Sequence, residues 1–130
     1  MRILQPKGWP RPNGYSNGIL AEGKTIFVAG QIGWNRKEQM VSNDFVEQTS
    51  QVLKNIVDIL EEGGAKPQHL TRLTWYITHM PDYLNNLREI GKVYSEVIGR
   101  HYPAMTLVMV AGLAEQDAKV EIEATAVIPN

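Results

Sequence analysis

Apolar and polar residues alternate most regularly at the end of the chain. Val120, Ile122, Ala124 and Ala126 interleave with Glu121, Glu123 and Thr125, the period of a strand with one buried face. Leu70–Thr78 reads the same way, with Leu73, Trp75 and Ile77 on one side and Arg72, Thr74, Tyr76 and Thr78 on the other. Two further runs, Thr25–Ile32 and Ala104–Ala111, are almost continuously apolar and are expected to be covered on both faces. Helical spacing takes over from Asp44 to Glu62, where Val46, Leu53, Ile56, Val57 and Leu60 form one stripe. Asp44 and Glu47 suit a helix start, and Gly63-Gly64 a helix end. Pro81-Asp82 opens a second helix to about Ile98, with Leu84, Leu87, Gly91, Tyr94 and Ile98 inward and Gly99 closing it. Tyr15–Ala21 is β-prone and is expected to pair with Thr25–Ile32 through a tight turn at Glu22-Gly23-Lys24. Residues 1–13, with Pro6, Pro10 and Pro12, read as an irregular arm. The order is β-β-α-β-α-β-β, an α+β class with two helices on one face of one mixed sheet and a single domain over 1–130.

Composition narrows the chemistry. The 130 residues include no cysteine, which removes disulfides, thiolate metal sites and cysteine nucleophiles and suits a reducing compartment. No apolar run approaches the ~18–20 residues of a membrane span, and the start lacks a signal-peptide core; a cytoplasmic location without membrane attachment is the expectation. Net charge is -1 with lysines and arginines scattered, so no nucleic-acid partner is expected. Neither a glycine-rich dinucleotide motif nor a phosphate loop occurs, and no serine sits in a nucleophile elbow. His69, His79 and His101 lack metal-ligand spacing and read as loop and surface residues. No cofactor and no metal are expected.

The loop from Trp34 to Glu38 reads as solvated, and Trp75 and Tyr76 as packing residues. Glu121 and Glu123 stand out because they project from the same face of the final strand. Two such carboxylates repel unless water, a donor or a cation lies between them. They are either a solvent-facing surface or a device that holds and polarises a water at a pocket floor.

Five segments carry a resemblance: NGYSNGI at 13–19, VAGQIG at 28–33, QTSQVLKNIVDILEEGGA at 48–65, YPAMTLVMVAGL at 102–113 and KVEIEATAV at 119–127. In that order and spacing the chain resembles the reactive intermediate deaminase family, the RidA or YjgF-like proteins. The resemblance implies a chorismate-mutase-like fold and a homotrimer with a β-barrel core and a small-molecule pocket at each subunit interface. Burial at the trimer centre would also explain the two apolar strands. Deaminases of this family hydrolyse 2-imino and enamine acids to keto acids and ammonia. The resemblance assigns Tyr15 to the pocket mouth, the backbone of Gly30 to the reacting atom, and Glu121 to the attacking water.

One element of that pattern is missing. The arginine that grips the substrate carboxylate is replaced by Met105, and Leu107 and Leu87 are apolar where the family carries a cysteine and an asparagine. Met105, Leu107 and Met109 project to one side of their strand, so a pocket lined by them is uncharged. A buried carboxylate deprived of its arginine loses about 2–5 kcal/mol, roughly thirty-fold to a few thousand-fold in affinity. The implied function is therefore an imine or enamine hydrolase whose substrate lacks a carboxylate at that point, unless Arg72, Arg88 or Arg100 moves in. The alternative is a trimer that binds a small molecule, or a partner, without catalysis. RNA cleavage, also attached to the family, conflicts with the charge distribution.

Overall fold

The computed structural model describes residues 1–130. Strand β1 (Arg2–Leu4) pairs with β2 (Gly18–Leu20) as a separate two-stranded ribbon, and β3 (Gly23–Gln31) belongs to the main sheet. Helix α1 (Phe45–Glu62) follows, then β4 (Leu70–Ile77), α2 (Met80–Leu84), α3 (Leu87–Val97), β5 (Ala104–Met109) and β6 (Val120–Pro129). The main sheet has the order β3-β6-β4-β5; only the β4–β5 pair is parallel. Its two edges, the outer sides of β3 and β5, carry no further strand.

Alternation fixes which face is the core. Val120, Ile122, Ala124 and Ala126 of β6 and Leu73, Trp75 and Ile77 of β4 are buried beneath α1 and α3. The opposite face has no covering layer, and Phe27 on it is 80% exposed. α1 starts where Asp44 accepts a hydrogen bond from the Glu47 amide at 2.9 Å. It ends through Gly64, whose φ of 80° suits glycine, while the Ala65 amide donates back to Leu60.

Several expectations are corrected. The local hairpin does not form: β2 takes Arg2–Leu4 as its partner, so the arm is partly ordered, and β3 pairs with β6. Gly23, at φ 146°, is needed because a Cβ there would lie 1.9 Å from the Ile128 carbonyl oxygen. The second helix is broken into α2 and α3 at Asn85-Asn86, where the Asn86 amide group donates to the Asp82 carbonyl. Three helices, not two, therefore accompany the sheet. The apolar runs at 25–32 and 104–111 are covered on one face only within the chain. No helix is long and apolar enough to cross a membrane.

Candidate functional site

Two cavities flank the sheet, and the candidate residues divide between them. The first, about 620 Å³, lies between α2, α3 and β5 and is lined by Tyr15, Leu87, Met105 and Leu107 among others. Tyr15 reaches it because the next residue is anchored. Ser16 is buried, its amide donates to the Pro103 carbonyl at 3.0 Å, and its hydroxyl donates to Tyr102. Met105 and Leu107 point inward from β5, whereas Met109 lies beyond the cavity and is largely exposed. Tyr94 and Tyr102 stack beneath them with ring centroids 5.6 Å apart. Burial, then the neighbouring Tyr102, pushes the Tyr94 phenol well above its ordinary pKa. Its hydroxyl donates to the His101 carbonyl at 2.5 Å.

The second cavity, about 330 Å³, is lined by Gly30, Gln31, Ile32, Trp34, Asn55, Ala114, Glu115 and Glu121. Gly30 sits in a β-bulge, since the register between β3 and β6 shifts between Val28 and Gln31. A Cβ on Gly30 would meet the Glu121 carboxylate at 2.0 Å, so the missing side chain is what lets this carboxylate lie against the backbone. Glu121 and Glu123 do share one face, but they differ in role. Tyr76 donates to Glu123 at 2.5 Å. This bond, burial and the charges of Glu123 and Glu121 raise the tyrosine's pKa. Glu123 is thus engaged, and Glu121 is the carboxylate turned toward Gly30 and the cavity.

Within one chain, then, Tyr15, Leu87, Met105 and Leu107 are together, Gly30 and Glu121 are together, and the two sets are apart. Arg72, Arg88 and Arg100 are exposed and line neither cavity. The histidines do not converge, and two of them hold loops. The His69 ring accepts from the Lys66 amide at 3.0 Å and His101 donates to the Leu70 carbonyl at 2.7 Å. Sequence reading missed Trp34 and Glu115, on loops, and Asn55, on α1, which come to the second cavity only through tertiary contacts. Asn55 donates to the Ile32 and Trp34 carbonyls and so fixes that wall. Gln48 was also missed: fully buried, it donates to the Ser42 and Asp117 carbonyls and accepts from the Lys119 amide at 2.8 Å.

An α+β domain with an uncovered sheet face and two open edges, carrying a cavity near each, defines a class of small pocket proteins. The profile of the family described as Endoribonuclease L-PSP matches residues 10–128, and the chain belongs to this family, which includes the RidA and YjgF-like proteins. It is 39% identical over 126 residues to a RutC family protein of Pyrococcus horikoshii, covering 95% of each chain. It is 30% identical to a 2-iminobutanoate/2-iminopropanoate deaminase of Dermatophagoides farinae, covering 98% of this chain and 96% of that one. The crystal structure of the Rid family protein YyfB from Yersinia pestis superposes with a TM-score of 0.85 at 32% identity, covering 98% of both chains.

Proposed function

We propose that this protein hydrolyses imines or enamines that lack a carboxylate at the Met105 position, in a homotrimer whose sites form between copies. The observation that carries the reading is the division of the candidate residues between the two sides of one sheet. A head-to-tail ring sets the β5 edge of one copy beside the β3 edge of the next, and so brings Tyr15, Leu87, Met105 and Leu107 to Gly30 and Glu121. Such heterologous contacts close into rings, and the uncovered sheet face, with the exposed Phe27 on it, is turned to the ring's centre.

The chemistry follows from the groups. Glu121 takes a proton from water as the oxygen adds to the C=N carbon. The nitrogen is protonated, and the resulting carbinolamine collapses to a carbonyl compound and ammonia. Gly30 leaves room for the carboxylate and offers backbone polar groups to the reacting atom. The deaminase named among the relatives supports the reaction class, and the uncharged Met105–Leu107 wall supports the change of substrate. Neither cavity is lined by lysine or arginine, which disfavours RNA cleavage. Met105 itself favours the second reading, a binder without catalysis.

The test measures ammonia release from carboxylate-free imines and from a freshly generated 2-imino acid. Natural chain, Met105→Arg and Glu121→Ala are compared, with light scattering for the trimer. The expected pattern is activity on the carboxylate-free imines, and a gain of about thirty-fold or more on the 2-imino acid in Met105→Arg. Adding Glu121→Ala should abolish both. Rates no faster than buffer on every carboxylate-free imine, at several pH values, would leave the binder reading.

A further inference from the structure

The larger cavity has features that water addition does not require. Its roughly 620 Å³ falls in the range that holds drug-sized ligands. No charged side chain lines it, and five of its residues are aromatic. Tyr94 and Tyr102, both lining it, stack on each other with their rings inclined by only 14°, and the Tyr94 hydroxyl is already occupied by the His101 carbonyl.

Two residues that line it lack a partner within the chain. Gly91 lies inside α3 with no left-handed φ to explain it. A Cβ there would meet nothing within 4 Å. Alanine is the better helix former at such a position, so neither conformation nor packing within the chain calls for glycine. Trp75, 4% exposed, also lines the cavity, and its indole N–H has no acceptor. A buried donor left unpaired is unfavourable, and an acceptor atom on an occupant would relieve it.

We infer that this cavity receives a flat, uncharged aromatic group of the substrate, and that Gly91 is a specificity-determining residue. For the reaction, the inference rests on the reading above. An aryl methyl ketimine and one water give the aryl methyl ketone and one ammonia: the C=N bond is replaced by C=O, and the water's two protons leave on nitrogen.

Binding tests it separately from turnover. Acetophenone, 2-butanone and benzoate are titrated against the full chain and against Gly91→Ala and Gly91→Leu, by calorimetry. Acetophenone should bind roughly tenfold tighter than 2-butanone, and benzoate no tighter than 2-butanone. Gly91→Leu should lose the preference for acetophenone while remaining folded. Gly91→Ala should raise the ligand-free melting temperature by about 2–4 °C and weaken acetophenone binding. Equal affinity for the two ketones, preference for benzoate, or unchanged binding in Gly91→Leu overturns the inference. So does a lowered melting temperature in Gly91→Ala, which means that protein already fills the space. If acetophenone binds through Gly91 but its imine releases no ammonia, the inference stands and the hydrolase reading fails. If aliphatic imines are hydrolysed with no aryl preference, the reverse holds.

Discussion

Gly30→Ala isolates the contact between Gly30 and Glu121 on which the proposed water site depends. The three atoms nearest the new methyl group all belong to Glu121: Oε2 at 2.0 Å, Cδ at 2.8 Å and Cγ at 3.0 Å. Carbon and oxygen normally touch at about 3.2 Å or more, so the carboxylate must swing away. Moving it off its rotamer and disturbing the bulge costs about 1–2 kcal/mol. In a Glu121→Ala background the obstructing atoms are gone. The same substitution then becomes neutral, or stabilises by up to about 0.5–1 kcal/mol because alanine restricts the unfolded chain. A double-mutant cycle by urea unfolding should therefore show a coupling energy of about 1–3 kcal/mol. On the proposed reading, ammonia release in Gly30→Ala should fall more than its stability explains, since the carboxylate is displaced from its place against Gly30. If Gly30→Ala destabilises both backgrounds equally, Glu121 does not rest against Gly30 and the reasoning fails.

Gln48→Leu keeps the side chain's bulk but strands two carbonyls and one amide. A loss of about 2–4 kcal/mol in urea unfolding is expected, and a loss under 1 kcal/mol would show that water replaces the glutamine. Tyr94 gives a pH prediction. Its pKa in the folded protein is raised above the ordinary 10.0, first by burial, so its contribution to stability is complete below pH 10 and is lost as pH rises beyond it. Tyr94→Phe should flatten the decline of melting temperature above pH 10, at about 1 kcal/mol of stability at neutral pH for the lost bond to His101. An unchanged alkaline profile would place the titration elsewhere.

Much of the fold was readable because its signals are local. Asp44 and Gly63-Gly64 bound α1 as expected, and the alternation in β4 and β6 reports the buried face directly. What was missed depends on distant partners. Tyr15–Ala21 is equally suited to several neighbours, and only the folded chain shows that Arg2–Leu4 takes the edge. The apolar stripe runs from Leu84 to Ile98 across the break at Asn85-Asn86, so its period hides the interruption. Gln48 reads as an ordinary polar helix residue because its three partners include Asp117 and Lys119, about seventy positions away. Tyr15, Gly30, Met105 and Glu121 were named through the resemblance and do line the two cavities, whereas Gly91 gives no sign in sequence that its missing side chain opens onto a cavity.

The carboxylate and the larger cavity are held by different parts of the fold. Glu121 belongs to an inner strand whose alternate residues are core, with Gly30 fitted against it. Leu87, Gly91, Met105 and Leu107 belong to a helix and an edge strand that can change side chains without moving β6. The two can therefore be altered independently: the lining can take new side chains while the inner strand, paired on both sides, keeps its place. A laboratory library confined to those four positions would repaint one wall of the cavity and leave the strand that carries the carboxylate untouched.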